Sequence, residues 1–299
     1  MLPAKTIAVA GGAAAGAAGV TGASALAVWV ARRRHARREA VRHARDAARA
    51  TRRICDTRYP ILLVPGVAAV DMRVSRYWGR IPGALEANGA RVFKAWQQST
   101  RSVADAGEQL AQIIDETLAA SGADRLNLIA HSKGGMDARW AISQRGCAEK
   151  VASLTTICTP HRGCDYGAII LRLLPRPARW ALGAGYARAV RRDDVPSPDL
   201  LAMAQDMTPA ECDQLNAMMP DADGVLYQSA GVTLALGPWD GVVPTSSMEW
   251  GDWLGLARPV GQVGIGHADA IDMTGTDVGG FDVTEFYVQL AAELKARGL

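Results

Sequence analysis

"LNLIAHSKGGMDARW", residues 126–140, sets an apolar run directly before a serine, two glycines and a helical pattern. Leu126 to Ile129 reads as a short buried strand, and Lys133 to Arg145 as the helix that follows it. The junction between them is tight, because Gly134 and Gly135 let the chain turn into the helix with no side chain in the way. A serine there has two readings. It is a favoured helix N-cap, or, in the order x-His-Ser-x-Gly, it approaches the G-x-S-x-G turn that exposes a nucleophile above a sheet. Ala130 stands where that pattern usually has its first glycine, and alanine still leaves room for the turn. Context has to choose between them.

Outward from this stretch the chain alternates strand and helix patterns. Strands are expected at residues 61–64, 91–96, 126–130, 151–158, 226–230 and 260–265. Helices are expected at 75–88, 104–121, 133–145 and 284–296, with another starting near Pro209. Such alternation implies an α/β fold with a mostly parallel sheet and helices on both faces. Sites in these sheets form at the carboxyl ends of strands. Ser132, Asp240 and His267 all follow expected strands.

A serine nucleophile needs a base that is itself held by an acid. Of the five histidines, His35 and His43 lie in an arginine-rich segment, and His131 directly precedes the serine. His131 is expected to pack beneath the turn. His161 comes too soon after Ser132 for the chain order serine, acid, histidine. His267, in "VGQVGIGHADAID", sits on a glycine-flanked loop after the last expected strand and is the natural base. Asp240, in "LGPWDGVVPTSS", has the acid's place, although Asp-Gly is also a common turn pair. Asp269 and Asp272 come after the histidine and fit that order badly. Two backbone amides are expected to bind a developing oxyanion: that of Lys133, next to the serine, and that of Val67, just past Pro65-Gly66. The Lys133 side chain is expected in solvent.

The blocks "YPILLVPG", "YWGRIPGALEANGARVF", "GEQLAQII", "ADRLNLIAHSKGGMDARW", "SLTTICTPHRG", "DGVVPTSSMEWG" and "GHADAIDMTG" resemble the bacterial triacylglycerol lipases of the Pseudomonas and Burkholderia type. The likeness runs from Tyr59 to the end of the sequence. It implies an α/β-hydrolase fold, hydrolysis of acylglycerol or other lipid esters, and Ser132, Asp240 and His267 as the triad. The chain departs from that family in three places. Pro65-Gly66 replaces the usual His-Gly after the first strand. The family's calcium is bound by two aspartates, and Asp269 matches one; the segment between "YQSAG" and "PWDG" is too short for the other, leaving Asp221 and Asp223 as the nearest oxygen-rich alternative. No cofactor is therefore expected to be required. Finally, none of Cys55, Cys147, Cys158, Cys164 and Cys212 lies near Asp240, where some members carry a disulfide, so reduced thiols are expected.

Residues 164–207 interrupt the alternation with apolar helical faces broken by Pro175 and Pro177, and read as a helical lid or cap over the site. Ile170 and Leu174 are expected to face an acyl chain. Residues 57–299 are expected to form the hydrolase domain that the resemblance implies, preceded by two segments of different composition. Residues 1–30 include an uncharged run from Thr6 to Val30, long enough for a membrane helix. Residues 31–56 form an arginine-rich linker or helix, with ten arginines between Ala31 and Arg53 against Glu39 and Asp46. That asymmetry favours a retained anchor with the catalytic domain on the cytoplasmic side. The alternative is a secretory signal cleaved after Ala25-Leu26-Ala27. The formal net charge of +3 comes from the basic segment, so the rest of the chain is acidic and offers no nucleic-acid-binding face. Two further readings stay open on these residues: an acyltransferase using the same triad, and a non-catalytic, membrane-tethered binding module.

Overall fold

The computed structural model describes residues 33, 36–37, 39–45, 47–48, 53–67, 69, 77–164, 176–190, 196–257, 264–278 and 280–299. The chain divides into two units, Met1–Thr51 and Arg52–Leu299. In the first, residues 39–45 are helical, as expected for an alanine- and arginine-rich stretch without proline or glycine. The apolar run 6–30 lies outside the described residues. Among the described residues no helix is long and apolar enough to cross a membrane.

The second unit is built on six parallel strands: β1 Ile61–Val64, β2 Val92–Lys94, β3 Leu126–His131, β4 Val151–Ile157, β5 Leu226–Val232 and β6 Asp252–Ala257. They lie side by side in the order β2-β1-β3-β4-β5-β6, so the nucleophile strand β3 is central. Alternate side chains of a strand point to opposite faces, and the packing follows that rule. Ile61, Leu63 and Ile129 join one core with Ile81 and Leu85 of α1 (Ile81–Ala87) and Tyr287 and Ala291 near the carboxyl terminus. Leu62, Val64, Leu128 and Ala130 join a second core with Leu110 and Ile114 of α2 (Val103–Ser121) and Ala138 and Ile142 of α3 (Gly134–Gln144). Each fully buried aliphatic side chain contributes about 1.5–3 kcal/mol. Two covered faces are why these strands read as unbroken apolar runs.

α2 ends where the sequence says it must: Ser102 caps its start by accepting from the Asp105 amide, and Gly122 takes φ 67° at its end. Two expectations need correction, and one strand is additional. The helix expected at 75–88 is shorter, because Pro82 sits in its first turn and Tyr77 to Arg80 form a turn instead. The strand expected at 91–96 spans only Val92–Lys94. The strand Asp252–Ala257 was not expected, while most of the strand expected at 260–265 falls on residues that are not described. Gly255, at φ 102°, lies beside a register shift against β5, and a bulge of this kind breaks the period by which a strand is recognised. Residues 258–263 lie outside the described residues, and Gly264 makes only an isolated bridge to Leu234. The remaining helices are α4 Arg176–Ala189, α5 Leu200–Asp206, α6 Pro209–Met218, α7 Thr245–Met248 and α8 Val283–Ala296. Within the insertion 164–207, α4 and α5 are thus helical as expected, while Ile170 and Leu174 lie outside the described residues.

Candidate active site

Ser132 follows β3 at φ 56°, a left-handed conformation that a residue with a Cβ adopts only when its surroundings impose it. The surroundings do so from three sides. The Ser132 amide donates to the Ile157 carbonyl at 2.9 Å, and Thr159 Oγ1 donates to the Ser132 carbonyl at 2.8 Å. The two glycines then admit close neighbours. A Cβ on Gly134 would lie 2.4 Å from the Pro65 carbonyl oxygen, and one on Gly135 would lie 2.3 Å from Thr159 Oγ1. Any side chain at either position would push the helix off the turn.

Asp240 and His267 reach Ser132 from the loops after β5 and β6. These loops brace one another through the Leu234–Gly264 bridge, and the His267 amide donates to the Asp240 carbonyl at 2.9 Å. Asp240 is buried, and its Oδ1 accepts from the amides of Val242 and Val243 at 2.9 and 2.7 Å. Its Oδ2 lies 2.6 Å from His267 Nδ1. An ionised carboxylate only accepts, so Nδ1 carries the proton and Nε2 is left as an acceptor. Ser132 Oγ is 2.9 Å from that Nε2 and donates to it. The arrangement can draw the serine proton onto imidazole and stabilise the resulting cation with a buried carboxylate.

The loop after β1 approaches Ser132 closely. A Cβ on Gly66 would come within 2.7 Å of Ser132 Cβ, so only glycine fits here. Tyr77 Oη accepts from the Gly66 amide at 2.7 Å and pairs with His131 Nδ1 at 2.8 Å. His131 is buried under the turn, as expected, and burial holds its pKa well below the usual imidazole value, so it stays neutral. The Tyr77 brace is absent from the sequence-based reading. An apolar cavity of about 550 Å³ opens onto Ser132 and His267. Val67 and Lys133 line it, together with Tyr186, Leu200, Met203 and Met207 of the 164–207 insertion.

The Lys133 side chain is not in solvent. It is buried and paired with Asp137 Oδ1 at 2.5 Å, one helical turn along α3. Asp137 also accepts from Ser99 Oγ at 2.8 Å. Burial raises the Asp137 pKa, and Lys133 opposes that rise. Loop 97–102 closes over this face of α3, a long-range contact to which the Lys133 environment in sequence gives no clue.

The other candidates fall elsewhere. His161 is buried against Thr156 Oγ1 at 3.0 Å and stacks on Trp250, away from Ser132. Asp272 binds Arg80 through its side chain and through the Arg80 amide, the latter at 2.7 Å, and so ties the loop after His267 to the start of α1. Asp269 Oδ2 accepts from the Gly266 amide at 3.0 Å and caps the turn that carries His267. These residues do not fit a two-aspartate calcium site. Asp221 holds the Trp250 indole and, like Asp223, precedes β5, at the opposite end of the sheet from Asp269. All five cysteines are buried.

Comparison with known proteins agrees with this architecture. The chain is 40% identical over 123 residues to a triacylglycerol lipase of Pseudarthrobacter phenanthrenivorans, covering 40% of this chain and 38% of that one. A triacylglycerol lipase of Burkholderia plantarii is also 40% identical over 123 residues, covering 40% of this chain and 34% of the other. The match thus spans little more than a third of the length of these relatives. Among solved structures, a metagenomic carboxyl esterase superposes with a TM-score of 0.62 at 14% identity, covering 80% of this chain and 76% of that one. The mature form of a Bacillus licheniformis lipase superposes with a TM-score of 0.53 at 15% identity, covering 72% and 87%. At such identities the superpositions speak for the fold alone. The family model for the alpha/beta hydrolase fold matches residues 59–241, more than half the sequence, and with the strand order and the turn at Ser132 it assigns the chain to the alpha/beta hydrolase family.

Proposed function

We propose that the protein hydrolyses carboxylic esters of lipid type, with Ser132 as nucleophile, His267 as general base and Asp240 as the acid that orients it. One observation carries this reading: the relay from Ser132 Oγ through both ring nitrogens of His267 to Asp240, at 2.9 and 2.6 Å. Oγ attacks the ester carbonyl as its proton passes to Nε2. The amides of Val67 and Lys133 receive the oxyanion, and the Lys133 amide gains from its place at the start of α3. Imidazolium then protonates the leaving alkoxide, and water repeats the sequence to release the acid. The relatives named as triacylglycerol lipases support the substrate class, as does the apolar cavity.

A series of p-nitrophenyl esters from acetate to long acyl chains tests the reading. Activity is expected to rise with chain length until the cavity is filled. Leu200→Ser with Met203→Ser should strip contact from about two methylenes. At roughly 0.8 kcal/mol each, that lowers kcat/KM about 15-fold on long esters and leaves acetate little changed. Hydrolysis of none of the esters rejects the proposal, and an equal loss at every length rejects acyl binding by α5.

We further propose that residues 1–30 tether the enzyme to a membrane, with the arginines of 31–56 lying along an anionic cytoplasmic leaflet. The support is the uncharged run and the charge asymmetry after it. Full-length protein should stay with membranes in high salt. A mature amino terminus at Val28, sequenced from protein outside the cell, would establish secretion instead.

A further inference from the structure

One ring nitrogen of His131, one of His267 and the Cys158 sulfur lie within 4.8 Å of one another, the only such His, Cys, Asp or Glu group among the described residues. Ester cleavage as proposed uses only His267 of the three. His131 Nδ1 is engaged by Tyr77, while its buried Nε2 has no well-formed hydrogen bond, only the His267 backbone nearby. A buried polar atom so poorly satisfied is costly, so its presence asks for a reason. Cys158 is equally unusual. It sits fully buried just past β4 at φ 52°, where glycine would be free of strain. Strained residues that persist cluster at functional sites.

We propose that His131, Cys158 and His267 bind a zinc ion or a similar borderline-soft divalent cation, and that metal held there switches the hydrolase off. Two imidazoles and a thiolate with an open fourth position are a zinc donor set. Bond lengths of about 2.0–2.3 Å put tetrahedral donors roughly 3.5 Å apart, so the cluster closes by about 1 Å through side-chain rotation. The cavity that opens onto both histidines gives the ion a path in. On binding, the Cys158 thiol releases its proton to solvent and the sulfur takes the metal. The dication and thiolate leave one positive charge, which the Asp240 carboxylate beside Cys158 and His267 balances. Coordination through His131 Nε2 places that ring's proton on Nδ1, where Tyr77 Oη accepts it, the supporting hydrogen bond that metal-bound histidines require. Inhibition rests on the triad reading. Whichever nitrogen of His267 is taken, its partner is lost, because Nδ1 holds Asp240 and Nε2 holds Ser132.

Cobalt(II) titration of the full chain, followed by its sulfur-to-metal charge-transfer absorption, reads the site without any turnover. Ester hydrolysis in the presence of zinc reads its effect. One equivalent of cobalt should produce the band, zinc should displace it, and a chelator should restore hydrolysis. Cys158→Gly and Cys158→Ser should each abolish the band and raise the zinc concentration for half-inhibition by at least about tenfold. Two variants guard against one that fails to fold. A band unchanged in both, or zinc inhibition equal in wild type and both, overturns the site. A Cys158-dependent band in a chain that cleaves no ester keeps the site and overturns the triad. Hydrolysis without such a band does the reverse.

Discussion

Replacing Ser132 with alanine is expected to lower kcat on the order of 10⁶-fold while the near-UV circular dichroism and melting temperature stay close to wild type. His267→Ala should cost nearly as much, because nucleophile and base act as one unit and their losses do not add. The double variant is therefore expected to be no worse than either single one. Asp240→Asn should cost about 10⁴-fold. An asparagine amide facing Nδ1 donates where the carboxylate accepted, so the proton moves to Nε2 and the ring can no longer receive from Ser132. Its backbone partners, the Val242 and Val243 amides, still find an oxygen, so the loop should hold its shape. Full activity in Asp240→Asn, together with its loss in Asp269→Asn, would move the acid to the other side of the histidine.

The second large effect is on stability. Lys133→Met leaves Asp137 buried beside only neutral partners, and removing one member of a buried ion pair costs about 3–5 kcal/mol. Urea denaturation should show that loss as a lower midpoint with an unchanged slope. Adding Asp137→Asn to Lys133→Met should recover part of it, because no buried charge remains and the asparagine oxygen still accepts from Ser99. The cycle is expected to give a coupling of about 1–3 kcal/mol. Additive losses would show that the pair contributes through packing alone.

Much of the architecture is written in local patterns. Strands β1, β3 and β4 are buried on both faces, so their apolar runs stand out against the polar helices between them. The turn at Ser132 is legible for a steric reason. Only glycine lets the helix after the nucleophile lie so near the Pro65 carbonyl and Thr159, and the two glycines mark the spot in the sequence. The order serine, acid, histidine follows from the parallel topology, which fixes which loops share the carboxyl edge.

What the sequence could not decide are the contacts made across that edge. Whether Lys133 points to water or into the protein depends on loop 97–102, which folds over α3 from another part of the chain; the i, i+4 spacing to Asp137 fits either outcome. Tyr77 reaches Gly66 and His131 only because the chain returns past the nucleophile before α1. β6 has no clear signature in the sequence because Gly255 and its bulge break the period that identifies strands. Cys158 reads as one more apolar residue at a strand end, and only the fold turns its sulfur toward two histidines. Local periodicity and glycine placement, set by backbone sterics, fixed the frame; side-chain partners separated by tens of residues waited for the tertiary structure, because their pairing is a property of distance in space.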